Sequence, residues 1–319
     1  MTGLRHILLA ALAGIFFSAR AADPYPSKPV RIVVAAGAGT VDDVGARIVA
    51  EKVSTILGQQ FFIENRPGAG GAIGQTFVMK SPPDGYTLLL AGGSMAGARY
   101  ANANVTYDLL RDFTPVSLIA TSVFALAANP NLPIRDVKGL IALAKAQPGK
   151  LTYGTIGAGQ MPYWNVMLFN SMAGIDVTQV PYKASPEVVT DLIAGRVDYY
   201  ITGLTSFLPV KDKLKILAVT TSTRSELVPD VPTMAEAALP GYDMPTWQSI
   251  MGPAGMQREH VALLNKAIGQ SLASPEVRDR LHKAGLSAAS STPQELRERY
   301  EHWMAIFGKI AQDVGLKPQ

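Results

Sequence analysis

The chain has 319 residues, with 29 Lys and Arg against 25 Asp and Glu, for a formal net charge of +4. It contains no cysteine, which excludes a disulfide framework, a thiolate metal site and a cysteine nucleophile. Charged residues make up 17% with both signs interspersed, so neither disorder nor a nucleic-acid partner is indicated.

The first residues form a separate unit. Arg5 and His6 precede the apolar run Ile7–Phe17, and Ser18-Ala19-Arg20-Ala21 ends it. A basic start, a short apolar core and a small-residue end predict a secretory signal peptide over residues 1–21. The run is too short to cross a hydrocarbon layer of roughly 30 Å as a helix. The mature chain is therefore expected to be exported and free of the membrane.

After the Pro-rich lead, strand and helix patterns alternate. Val30–Ala35 reads as a buried parallel strand, a run that is apolar but for Arg31 and rich in β-branched residues. A helix follows, with Val44, Ile48, Val49, Val53 and Ile56 on one face and Gly58 at its end. A second strand is expected at Gln60–Glu64, a helix up to about Lys80, and a third strand at Tyr86–Ala91. Pro115–Asn129 is strand-like, with an interruption at Thr121-Ser122. The pattern then restarts, with helices over 136–147, 162–173 and 186–194, and strands over 151–155, 177–180, 197–202 and 216–220. Beyond residue 221 the reading is mostly helical: 257–272, 275–284 and 293–313. Two α/β units with parallel sheets follow from this order. Domain 1 would comprise 22–122 and the mostly helical 222–319, with domain 2 inserted as 123–221. The crossings near Thr121–Phe124 and Val219–Ser222 would be the hinge.

One local feature occurs twice. Gly37-Ala38-Gly39-Thr40 opens a helix after the first strand, and Gly157-Ala158-Gly159-Gln160 does so in the second unit. Glycine permits close backbone approach, and a helix N-terminus offers unpaired N–H donors with partial positive charge. Two such corners facing one cleft would clamp an anion carrying negative groups at both ends. As isolated features they also fit ordinary strand-to-helix turns. Neither matches a dinucleotide fingerprint, because Asp42 and Pro162 stand where a third small residue is needed. Thr40-x-x-Asp43 has capping-box spacing, and Asp43 is also expected to hold a bridging water.

Gly92-Gly93-Ser94-Met95-Ala96 comes close to a nucleophile elbow, which makes an exported serine esterase the rival reading. The histidines after residue 21 are His260, His282 and His302, all in helical segments, so Ser94 fits better as a ligand hydrogen bond. Tyr163-Trp164 fits either ligand stacking or the core. Metal-ligand spacing is lacking, and no cofactor is expected.

The chain also resembles the Bug-type solute-binding receptors of tripartite tricarboxylate transporters along nearly all of its mature length. The matching blocks include Tyr25-Pro26-Ser27-Lys28-Pro29, Glu64-Asn65-Arg66-Pro67-Gly68-Ala69-Gly70-Gly71 and Pro83-Asp84-Gly85-Tyr86-Thr87-Leu88-Leu89. Asp112-Phe113-Thr114-Pro115-Val116, Val180-Pro181-Tyr182-Lys183 and Pro229-Asp230-Val231-Pro232-Thr233 follow in order. The resemblance implies a periplasmic-binding-protein-like α/β fold of two domains joined by crossing hinge strands. A small organic carboxylate would sit in the interdomain cleft, held by backbone amides and water, without catalysis. The receptor would be a monomer that hands its ligand transiently to transporter membrane subunits, or a sensor for a signalling kinase. The implied contacts are the N–H groups of Gly37, Ala38, Gly39, Gly157, Ala158 and Gly159. Thr40, Ser94, Gln160 and Thr202 would add side-chain hydrogen bonds beside Gly203. The departures fall at these loops: Gln160 and Tyr163 replace the usual Ser and His, and Thr202-Gly203 replaces an acidic or Asn pair. They suggest an unusual ligand, with an aromatic or apolar body covered by Tyr163 or Trp164.

Overall fold

The computed structural model describes residues 25–318 except Ala158. The expected signal peptide, residues 1–21, and Ala158 lie outside the described residues. The first stretch runs β1 (Val30–Val34), α1 (Val41–Leu57), β2 (Phe61–Asn65), α2 (Ala72–Met79), β3 (Thr87–Gly92), α3 (Ala98–Ala101), α4 (Leu109–Asp112) and β4 (Phe113–Ser122). The second runs β5 (Phe124–Ala128), α5 (Val137–Ala146), β6 (Thr152–Thr155), α6 (Met161–Ala173), β7 (Thr178–Pro181), α7 (Ser185–Ile193), β8 (Tyr199–Gly203) and β9 (Lys215–Val219). The last runs α8 (Met234–Ala237), β10 (Thr246–Pro253), α9 (Arg258–Ala273), α10 (Pro275–Lys283), β11 (Leu286–Ala288) and α11 (Pro293–Asp313).

Two sheets result, ordered β11-β4-β10-β3-β1-β2 and β7-β6-β8-β5-β9. Each contains a parallel β-α-β core, β2-β1-β3 in one and β7-β6-β8 in the other. In each, the next strand outward is antiparallel: β10 beside β3 and β5 beside β8. The sheets are thus mixed rather than all-parallel. They share one plan, so β1 and β6 are equivalent strands and α1 and α6 equivalent helices.

Strand β10 was not expected from the sequence, which reads as mostly helical beyond residue 221. It lies in the middle of the first sheet, bonded to both β3 and β4, and every one of its residues is buried. A strand supplied by the far end of the chain closes the first unit. The crossing segments are bonded to one another: Thr220 N–H donates to the Phe124 carbonyl at 2.9 Å, and Met244 N–H to the Thr220 carbonyl at 2.8 Å.

Alternation along each strand sorts side chains to two faces. Ile32, Val34, Leu88 and Leu90 pack under α1, α9 and α10. Val33 and Leu89 belong to a second core that runs without a break into the other sheet, through Trp164 and Phe307 to Tyr153 and Tyr199. A third core, with Ala125, Ala127 and Tyr200, lies under α7. Helix α1 is set by Thr40 at its N-cap and by Gly58, whose φ of 67° gives the left-handed C-cap.

Candidate functional site

The C-terminal ends of β1, β2 and β3 lead into the segments 35–40, 66–71 and 93–97, and the ends of β6 and β8 lead into 156–160 and 204–206. In open α/β sheets this is the edge at which ligands bind. The two glycine corners lie at equivalent places, one after β1 and one after β6. Gly39 has φ 79°, and Gly157 and Gly159 each have φ 84°. These left-handed conformations let the chain turn sharply from strand end to helix start.

The second corner touches the first unit. Gln160 Nε2 donates to the Gly70 carbonyl at 3.3 Å. A Cβ on Gly159 would lie 3.4 Å from the Ala101 methyl. On the other side, Ala35 packs against Gly71 and Gly74, and Asn65 Nδ2 donates to the Ala36 carbonyl at 3.1 Å. The loop after β2 therefore joins the two corners.

At the first corner, much of the expected polar chemistry is used inside the protein. Thr40 Oγ1 donates to the Gly37 carbonyl at 2.8 Å and accepts from Asp43 N–H at 3.4 Å. The reciprocal half of the capping box is displaced by one residue, since Asp43 Oδ2 accepts from Gly39 N–H at 2.9 Å. Arg47 Nε and Nη2 reach the same carboxylate at 3.0 and 2.9 Å, and Asn65 Nδ2 reaches it at 2.9 Å. With four donors on two oxygens, Asp43 is a positioning group that shapes the corner. It is not placed to hold a bridging water, and Gly39 N–H is not free for a ligand. Gly37 retains open space around its Cα. Sequence reasoning missed Arg47 and Asn65, although the Asp43–Arg47 spacing of four on a helix was a readable signal.

Burial by itself would raise the Asp43 carboxyl, but hydrogen bonds from Arg47, Gly39 and Asn65 outweigh it and hold the group below the usual carboxylate range. A depressed folded pKa contributes stability that is complete above pH ~4 and is lost as pH falls through the lower folded value. Thermal midpoints of the wild type and Asp43→Asn should therefore converge as the pH is lowered from 7 to 3. Parallel curves would show that the carboxylate carries no linked stability.

The remaining expected contacts divide. Ser94 is half-buried in the turn after β3, where its carbonyl accepts from Gly97 N–H at 3.1 Å. Among the described residues no histidine accompanies it: His260 stacks on Tyr25 at 4.0 Å, and His282 and His302 lie on α10 and α11. Thr202 is 4% exposed, with its hydroxyl 3.4 Å from Ser185 Oγ, and Gly203 pairs with Phe124 at the crossing. Tyr163 is 5% exposed and Trp164 is fully buried, with their rings edge to face at 5.7 Å. Both belong to the core, where the apolar α6 side chains join the two sheets. Burial raises the Tyr163 phenol above its usual value, as expected for that position.

Among the described residues, no group of three or more His, Cys, Asp or Glu could hold a metal ion, and no helix is long and apolar enough to cross a membrane.

Known proteins share both the sequence and this architecture. Residues 45–316 match the family described as tripartite tricarboxylate transporter family receptor. Protein BugT of Bordetella pertussis is 32% identical over 97% of this chain and 98% of its own length. A Rhodopseudomonas palustris protein solved with adipate is 34% identical, covers 92% of this chain and all of its own, and superposes with a TM-score of 0.83. MatC from the same organism, solved with bound malate, is 29% identical over 90% of this chain and all of its own, with a TM-score of 0.78. The chain belongs to the receptor family of the tripartite tricarboxylate transporters.

Proposed function

We propose that this protein is a periplasmic receptor that closes its two units on a small organic carboxylate. It would then deliver the ligand to the membrane subunits of a tripartite tricarboxylate-type transporter. The observation that carries this reading is the equivalence of the two glycine corners, each at a strand end and a helix start, joined through the Gln160–Gly70 contact. Helix N-termini bind carboxylates through backbone N–H groups and the helix dipole. In this reading the N–H groups of Gly37, Ala38, Gly157 and Gly159 are the contacts, and Ala158 would add another. Relatives solved with adipate and malate support a carboxylate ligand.

In this reading residues 1–21 direct export, and the mature monomer divides at the crossings into 22–122 with 222–319, and 123–221. Closure is a hinge movement about 121–124 and 219–222. In this reading the protein binds without covalent chemistry, since among the described residues Ser94 has no histidine partner.

A thermal-shift screen against organic carboxylates tests the proposal. A ligand at 100 times its Kd adds about 2.7 kcal/mol to native stability, which for a chain of this size raises the midpoint by roughly 5–10 °C. If no carboxylate in a broad panel moves the midpoint, the receptor reading fails.

A further inference from the structure

A groove of 760 Å³ runs along α2, and among the described residues none from either glycine corner lines it. Ala72, Ile73, Thr76 and Phe77 recur at helical spacing along one side of α2, so the groove has an apolar stripe. Ala69 lines it before the helix, and Lys80 and Pro82 line it after. The groove is open to solvent rather than enclosed, which suits a segment of another molecule better than a small ligand.

Its charge is one-sided. Among the described residues, Arg31, Arg66 and Lys80 line it and no acid does. The acid beside them, Glu64, is shared: Arg31 Nη1 lies 3.1 Å from its carboxylate, and Arg66 Nε bonds to it as well. Both guanidinium groups lie against the Phe77 ring, with Cζ at 3.7 Å for Arg66 and 5.5 Å for Arg31, which holds them at the apolar stripe. Arg31 Nε is buried without an acceptor, and Lys80 is exposed at the C-cap of α2. Ile73 is 54% exposed, more than any other large apolar side chain among the described residues. A lone exposed isoleucine means little, but this one sits amid three cations that outnumber their acid.

The groove also adjoins the joint between the units. Ala69 lines it, and the next residue, Gly70, accepts from Gln160 Nε2 of the second unit. Ala69 is held at φ 48° between Gly68 at 121° and Gly70 at 63°, a conformation that alanine keeps only where its surroundings fix it. Asn102 Nδ2 does so by donating to the Ala69 carbonyl at 2.8 Å. One end of the groove is therefore built by a loop that the second unit grips. Separation of the units would withdraw Gln160 and release that end.

We propose that the α2 groove is the surface on which a membrane subunit of the transporter docks, through an acidic segment with an apolar centre. The three cations meet its carboxylates and Ile73 meets its apolar side chains, while the small Ala69 and Ala72 let its backbone approach. The same face of a second copy would bring the same cations and be repelled. Because Gln160 grips the loop only when the units are together, docking favours the closed, loaded receptor. This inference rests on the transport reading above and names the surface it requires.

The test pairs two measurements made with the best carboxylate from the thermal-shift screen: its uptake by cells carrying this receptor and its membrane subunits, and its affinity for the purified chain by calorimetry. The double variant Ile73→Glu, Lys80→Glu should lower uptake at least tenfold and keep affinity within twofold of wild type. Ile73→Leu with Lys80→Arg should restore uptake. Met172→Glu, a like change at an exposed apolar residue of α6, should alter neither quantity. Normal uptake by the charge-reversed double variant, or an equal loss in Met172→Glu, overturns the inference. So does a fall in affinity beyond twofold, which would assign Ile73 and Lys80 to ligand binding. Self-association of the wild type that Ile73→Glu abolishes would give the groove to a second copy and overturn it as well. A wild type that binds the carboxylate but supports no uptake removes the transport reading and this inference together, whereas failure to bind any carboxylate removes the receptor reading itself.

Discussion

Replacing Trp164 with alanine should lower the unfolding free energy by about 3–5 kcal/mol, the usual cost of emptying a fully buried aromatic site. The indole is completely buried on α6, lies 4.7 Å from Phe307 of α11, and meets the backbone at Gly97. It thus touches the second sheet's helix, the C-terminal helix and the turn after β3 together. The void left behind cannot collapse from one side alone. Urea unfolding monitored by circular dichroism measures the loss, and a drop below 1 kcal/mol would mean that α6 and α11 repack freely. Trp164→Phe should recover much of the difference, because ring packing rather than the indole N–H carries the contact.

A second large effect concerns binding. Gly159→Val should reduce carboxylate affinity at least 100-fold, which corresponds to about 2.7 kcal/mol. At φ 84° an L side chain is strained, and its Cβ would stand 3.4 Å from the Ala101 methyl. The valine branches would lie between the second corner and α3, moving the corner's N–H groups and holding the units apart. Calorimetry with the best carboxylate from the screen, beside a far-UV spectrum showing a native fold, decides it. Wild-type affinity in the folded variant would remove this corner from the site.

Most strands and helices were legible because their periodicity and punctuation agree. Val30–Val34 is β-branched at every position but Arg31, and the stripe from Val44 to Ile56 ends at the left-handed Gly58. Strand β10 was hidden because Thr246–Pro253 mixes Gln, Ser and Gly into its apolar positions and so lacks a clear period. Its place is fixed by pairing with β3 and β4, more than a hundred residues earlier in the chain, and no local pattern records that.

At the candidate site, backbone geometry was more legible than side-chain partnership. The glycine corners follow from strand-to-helix turns that only a small residue makes easily. The fate of Asp43 depends on Asn65, which folding brings in from the end of β2. Gln160 likewise finds its partner at Gly70, ninety residues away. Tyr163 and Trp164 were ambiguous, since aromatic residues at a helix start serve either a pocket or a core. Packing of α6 against α11 settles them as core.

The unbroken core through Val33, Leu89, Trp164, Phe307 and Tyr199 bears on how such a chain can be divided. Residues 123–221 resemble an inserted module when viewed by sheet topology alone. Cutting them out would bare Trp164, Phe169 and the α6 face, and would leave α11 without the apolar surface it covers. The segment is therefore not portable. New specificity in this architecture has to arise in the loops at the strand ends, since exchange of one half for another would cost the joint that makes both halves stable.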